Sequence, residues 1–118
     1  MAVRGIRGAT AVQQDTSEAV LGATRELLEA IVAANRIAPG DIASVIFTAP
    51  PDLTREYPAR AARLMGWTDV PLLGATEMDV ATGVPRCIRV LLHVNTDRAA
   101  SDIRHVYLHD AKTLRPDR

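Results

Sequence analysis

The run Cys87-Ile88-Arg89-Val90-Leu91-Leu92-His93-Val94 sets a guanidinium in the middle of an apolar stretch. Arginine stays protonated at any ordinary pH, so a buried arginine needs an anion and hydrogen-bond acceptors to offset its lost hydration. Side chains alternate along a strand. Arg89 therefore shares a face with Cys87, Leu91 and His93, while Ile88, Val90, Leu92 and Val94 make a plain core face. Two readings follow: Arg89 meets a ligand, or it pairs with one of the chain's own carboxylates, for which Glu77 is the obvious candidate. Arg7 poses the same question, because the alternation of Val3, Gly5, Arg7, Ala9 and Ala11 leaves a face that is small everywhere except at the arginine. Its other reading is a solvent-facing side chain on an edge strand. Tyr107 shares a face with His105, and a half-buried tyrosine hydroxyl needs a partner. Arg60 and Arg63, three apart, lie on one side of a helix and are either two solvated charges or one wall of an anion site. Arginines, one glutamate and one tyrosine on apolar strands fit the binding of a small dianion and the electrostatic lowering of a barrier.

These residues need elements to position them. Val3 to Val12 reads as a strand interrupted by glycines, which mark a bulge or the close approach of another backbone or a ligand. Asp15 with Glu18 resembles a helix-start capping arrangement, and Val20, Leu21, Leu27, Leu28, Ile31 and Val32 recur at helical spacing. That helix is expected to run to Ala34 or Asn35 and stop before Pro39-Gly40, with Glu18, Arg25, Glu26 and Glu29 on its wet face. Ser44 to Ala49 reads as a short strand, and Tyr57-Pro58 opens a second helix that ends at Gly66. Val70 to Met78 is a further apolar strand closing on Glu77, and Asp79 to Pro85 is a turn. A turn at Asn95-Thr96-Asp97, a helical turn at Ala99 to Asp102 and a last strand from Arg104 to Leu108 complete the chain, with no room for another element after Leu114. The expected fold is a single α+β or α/β domain over residues 1–118, with a mixed sheet of about five strands and two main helices. Two helices cover one sheet face, and packing the other against copies of the chain is the natural remedy.

Composition narrows the function. Fourteen basic and fourteen acidic residues balance, so the long-range attraction that nucleic acid or an anionic membrane requires is missing. Any anion must be held locally, and thirteen of the fourteen basic residues are arginine, which suits bidentate recognition of carboxylates. A single cysteine allows no intrachain disulfide, and no apolar run is long enough to span a bilayer. The expected compartment is a reducing cytoplasm. Cys87, His93, His105 and His109 show no metal-ligand spacing, Gly5 and Gly8 lie inside a strand rather than at a phosphate-binding turn, and no nucleophile with its base is visible. Neither a metal nor a cofactor is expected.

Arg4-Gly5-Ile6-Arg7-Gly8-Ala9, Tyr57-Pro58-Ala59, Glu77-Met78-Asp79-Val80, Cys87-Ile88-Arg89-Val90, Arg104-His105-Val106-Tyr107-Leu108 and Leu114-Arg115-Pro116-Asp117 together resemble the monofunctional chorismate mutases of the trimeric pseudo-α/β-barrel type. The resemblance runs through nearly the whole chain in order. It implies a homotrimer with active sites between subunits, and isomerisation of chorismate to prephenate without proton transfer. By the same resemblance Arg89 stands beside the ether oxygen, Arg7 and Tyr107 bind carboxylate, and Glu77 binds the ring hydroxyl and balances charge on the ring side. Leu73, Gly74, Ala75 and Thr76 line the pocket, and Tyr57, Ala59 and Arg60 match positions contributed by the adjacent subunit, with Arg63 and Arg115 nearby. At Gly74 the family often carries a hydrogen-bond donor side chain, which this chain lacks. A similar trimeric architecture, the reactive-imine deaminases, is a second enzyme reading, and a catalytically silent trimeric metabolite-binding or regulatory module is the alternative outside catalysis.

Overall fold

The strand Cys87–Thr96 (β4) lies at the centre of a five-stranded sheet of order β3-β2-β4-β1-β5. It is antiparallel to Ala2–Ala11 (β1) on one side and to Ile42–Ala49 (β2) on the other. Leu72–Thr76 (β3) runs parallel to β2, and the two-residue Val106–Tyr107 (β5) runs parallel to β1, at the opposite edges. This is the expected mixed α+β sheet. The computed structural model describes residues 1–114.

Alternation along β4 fixes the faces. Ile88, Val90, Leu92 and Val94 are buried, and the register sets Ile6 and Val45 beside Leu92, and Gly8 and Phe47 beside Val90. Against this face packs the helix Ser17–Asn35 (α1), through Leu27, Leu28 and Ile31, and the short helix Ala59–Leu64 (α2), through Ala59 and Ala62. Each large apolar side chain so buried contributes about 1.5–3 kcal/mol. Gly8 is where α1 comes closest. A Cβ there would lie 2.7 Å from the Ile31 Cδ1 and 3.2 Å from Leu27 and Val90. This glycine makes room for the helix on the core face, opposite the face that carries Gly5 and Arg7.

Several boundaries differ from those read off the sequence. The N-cap of α1 is Thr16, whose Oγ1 accepts the Ala19 N–H at 3.1 Å, and not Asp15. Asp15 is engaged elsewhere: its carboxylate accepts the Thr54 and Arg55 N–H groups and the Thr54 hydroxyl at 2.9–3.2 Å. Helix α2 starts only at Ala59, with Pro58 at its cap position, and Gly66 at φ 90° ends it as expected. β4 continues through Thr96 because Asn95 and Thr96 stay paired with Val3 and Ala2. The last strand shrinks to two residues because Asn35 claims the Arg104 backbone, accepting its N–H at 2.8 Å and donating to its carbonyl at 2.9 Å. A 3-10 segment at His109–Leu114, not anticipated from the sequence, packs Ala111 and Leu114 against Ala9 and Cys87.

The opposite sheet face carries Val3, Gly5 and Arg7 of β1, Arg89, Leu91 and His93 of β4, Ser44, Ile46 and Thr48 of β2, and Leu73 and Ala75 of β3. Neither α1 nor α2 covers it, and Val3, Leu73 and Leu91 are exposed at 56%, 62% and 37%. The uncovered apolar face expected from the element count is present.

Candidate active site

Arg89 is not buried as its apolar neighbours suggest. Its side chain is 48% exposed, because its strand face is the open one. Among the described residues it forms an ion pair with Glu77, with the Arg89 Nε 3.5 Å from the Glu77 Oε2. Glu77 is brought there by the sheet: its N–H donates to the Ala49 carbonyl at 3.0 Å, extending the β2–β3 ladder one residue beyond Thr76. Alternation from Leu73 and Ala75 then turns its carboxylate onto the open face. Oε2 accepts the Thr48 hydroxyl at 2.6 Å and Oε1 accepts the Met78 N–H at 3.2 Å. An ion pair this exposed stabilises a fold by about 1 kcal/mol at most. Folding stability therefore gives little reason for a charge on this face, and binding does.

A cavity of about 570 Å³ opens beside the pair, lined by Glu77, Arg89, Cys87, Asp52, Met78 and Pro85 among others. Burial pushes the Cys87 thiol up, and the neighbouring Arg89 only partly offsets it, with Glu77 acting in the same direction as burial. The thiol stays protonated at neutral pH, so this site offers no ready thiolate nucleophile. A second cavity, of about 290 Å³, holds Arg7, Arg89 and Tyr107 together with Ala9 and Leu114. Arg89 belongs to both. The parallel pairing of Ala9 with Tyr107 brings the tyrosine alongside β1, and the Arg7 N–H donates to the His105 Nδ1 at 3.0 Å. Two guanidiniums, a phenol and a carboxylate thus converge on one open face, and this set can hold a small dianion between fixed cations while one carboxylate orients a hydroxyl.

The other predicted residues lie apart from that group. Tyr57, Gly74, Ala75 and Thr76 line a third cavity of about 590 Å³, which meets the first at Pro50 and Pro51. Tyr57 is 74% exposed. No atom lies within 4 Å of where a Cβ on Gly74 would stand, so the place of the missing donor is open space. Leu73 projects from the open sheet face, and Ala59 packs into the core. Arg60 donates to the Glu56 Oε2 at 2.7 Å, and Arg63 is exposed on the same helix. Arg115 lies outside the described residues.

The rim around Tyr57 is held by two carboxylates. Glu56 accepts the Tyr57 N–H at 2.9 Å, the Arg60 guanidinium, and the Ser17 hydroxyl at 3.0 Å, and these contacts hold its carboxyl below the usual range. For Asp15, desolvation pushes upward, but its hydrogen bonds to Thr54 and Arg55 outweigh it and the carboxyl also sits low. Sequence reasoning did not pick out Thr48, Leu114 or these two clamps. Thr48 was accessible, since it pairs with Arg89 across β2 and β4 and alternation from Ser44 sets it on the Arg89 face. The Asp15 contacts and the Ser17 contact of Glu56 join residues about forty positions apart and carry no local signal, whereas Glu56 and Arg60 are a local i,i+4 pair. Among the described residues no group of His, Cys, Asp and Glu is placed to hold a metal ion, and no helix is long and apolar enough to cross a membrane.

An α+β sheet with both helices on one face and arginines, a tyrosine and a carboxylate converging on the other gives a fold whose charged cleft opens on the bare sheet. The family follows from sequence: residues 3–118 match the model of chorismate mutase type I, and the chain belongs to that family. It is 48% identical over 118 residues to the chorismate mutase AroH of Bacillus subtilis (strain 168), covering 99% of this chain and 93% of that one. It is 53% identical over 116 residues to the chorismate mutase AroH of Thermus thermophilus, covering 98% and 95%. The solved structure of a chorismate mutase from Clostridium thermocellum superposes with a TM-score of 0.91 at 45% identity, over 92% of this chain and 97% of the other.

Proposed function

We propose that residues 1–118 form one chorismate mutase domain, which isomerises chorismate to prephenate in aromatic amino acid biosynthesis. It acts as a cytoplasmic homotrimer with its active sites between subunits. The observation that carries the reaction is the pairing of Arg89 with Glu77 beside Arg7 and Tyr107 on an uncovered sheet face. Chorismate is a dianion, and its rearrangement breaks the ether C–O bond as a C–C bond forms, in one cyclic shift of electrons. No proton moves, which suits a site without a visible base or nucleophile.

In this reading Arg7 and Tyr107 bind carboxylate and hold the side chain of the substrate over its ring. Arg89 stands at the ether oxygen and stabilises the negative charge that builds there as the bond breaks. Glu77 accepts the ring hydroxyl and balances charge on the ring side. Leu73, Gly74, Ala75 and Thr76 form a wall. Tyr57, Ala59 and Arg60 come from the adjacent subunit, with Arg63 and Arg115 nearby. The magnitudes are sufficient: a rate gain at the low end of the enzymatic range needs about 8 kcal/mol. One well-aimed donor supplies about 3–4 kcal/mol, and selecting the reactive conformer supplies much of the remainder.

Support for the assembly comes from the open face, where exposed Val3, Leu73 and Leu91 flank the arginines. The separation of the Tyr57 rim from the Arg7 and Tyr107 cavity points the same way. The test of function is to mix the purified protein with chorismate, follow the loss of its diene absorbance and identify the product. Prephenate is expected; chorismate bound without turnover would replace the enzyme with a metabolite-binding module. The test of assembly mixes Arg89→Ala with Arg60→Ala subunits after mild dissociation. If each site draws on two subunits, about one quarter of the sites in a random equal mixture regain both arginines. A mixture no more active than its components would exclude sharing.

A further inference from the structure

We infer that Thr48 is a positioning residue for this reaction: its hydroxyl holds the Glu77 carboxylate off Arg89, so that the guanidinium keeps its N–H groups for the substrate. The inference rests on the chorismate mutase reading of the site. The Thr48 Oγ1 lies 2.6 Å from the Glu77 Oε2, in the short range of a hydroxyl donating to a carboxylate. The Arg89 Nε is 3.5 Å from that same oxygen, close enough for attraction but beyond ordinary hydrogen-bond length. The second carboxylate oxygen accepts the Met78 N–H at 3.2 Å. Two donors on the β2 and β3 side thus compete with Arg89 for one carboxylate, and they hold it.

The sheet makes the competition geometric. Thr48 pairs with Arg89 on one side and with Ala75 on the other, so its side chain stands between the arginine and the strand that delivers Glu77. A β-branched side chain in a strand has little freedom at χ1, which keeps the hydroxyl aimed. Without it, Glu77 is free to swing onto Arg89 and form the two-pronged pair that guanidinium and carboxylate favour. That pair would occupy the N–H groups that the developing oxyanion requires. Thr48 therefore preserves the charge balance between Glu77 and Arg89 without letting the two neutralise each other.

The test uses Thr48→Val, which keeps the shape and removes the donor, and Thr48→Ser, which keeps the donor. For Thr48→Val, kcat is expected to fall about tenfold, the scale of one lost hydrogen bond to a charged group, with KM changing by less than about threefold. Thr48→Ser is expected to restore most of kcat. In parallel, the Arg89 Nε–H resonance of the unliganded protein is expected to shift toward that of a carboxylate-bound arginine in Thr48→Val and to stay in place in Thr48→Ser. Wild-type kcat in Thr48→Val, equal impairment of both variants, or an unmoved Arg89 resonance in Thr48→Val would each overturn the inference. Should the wild-type chain fail to turn over chorismate, the mutase reading falls on that result, and the resonance comparison still decides whether Thr48 holds Glu77 away from Arg89.

Discussion

The centre of the candidate site and its rim are held by different means. At the centre, Arg89 and Arg7 stand on neighbouring strands, and Glu77 is delivered by a one-residue extension of the β2–β3 ladder. Their positions are set by backbone pairing, which fixes every side chain to one face. At the rim, Tyr57 and Arg60 follow a polar loop tied down by Asp15 and Glu56. Those ties are charge-assisted hydrogen bonds on an exposed segment, each individually replaceable. The centre is therefore rigid and intolerant of changed chemistry, whereas the rim is adjustable and sensitive to charge.

The largest expected effect lies at the centre. Arg89→Ala should fold normally, since Arg89 is half exposed and its ion pair adds little to stability. It should lose about 10²–10³ in kcat, the loss expected for one oxyanion-stabilising donor. Arg89→Lys should also perform poorly, because an ammonium cannot reproduce the planar fork. Steady-state kinetics beside circular dichroism checks both, and near-wild-type turnover by either variant would remove Arg89 from this role.

A smaller effect separates rigidity from chemistry. Gly8 lies on the core face of β1, one residue from Arg7, and an added Cβ would press on Ile31, Leu27 and Val90. Gly8→Ala should cost about 1–3 kcal/mol, as overpacking does. The crowded atoms are side-chain ends on α1 and β4; if β1 rather than those side chains moves to relieve the clash, Arg7 should shift with it, and KM should rise more than kcat falls. Urea denaturation together with steady-state kinetics reads both. Unchanged stability would mean that α1 yields without moving the strand, and the centre would then be less rigid than backbone pairing implies.

The contrast also explains what was readable in the sequence. The strands of the centre announce themselves by alternation, so the faces of Arg7, Arg89 and Glu77 follow from parity alone. The half-exposure of Arg89 is not legible in the sequence, because an apolar strand reads the same whether its second face is covered within the chain or left open, as it is here. Gly8 signals a close approach without naming what approaches, and only the packing shows that it is the α1 side chains Ile31 and Leu27. Local pattern favours Asp15 as a helix cap, while its actual partners, Thr54 and Arg55, lie far along the chain. The His109–Leu114 turn has no hydrophobic period to reveal it, and only its packing of Ala111 and Leu114 against Ala9 and Cys87 explains its form.

The smallest expected effect is at the rim and depends on pH. Asp15 and Glu56 both titrate below their ordinary values in the folded chain, held there by hydrogen bonds from Thr54, Arg55, Tyr57, Arg60 and Ser17. A carboxyl whose folded pKa is depressed contributes stability that is fully present above its unfolded pKa, and that is lost as pH falls through the folded value. The clamps are therefore complete at neutral pH and fade only as the solution passes below the ordinary carboxylate range. Asp15→Asn removes the charge while keeping the shape. Its thermal midpoint should lie slightly below that of the wild type at neutral pH, and the difference should close as pH falls into the acid range. A gap that is independent of pH would mean that the Asp15 contacts stabilise the loop through shape alone, and the charge-sensitive character assigned to the rim would rest on Glu56.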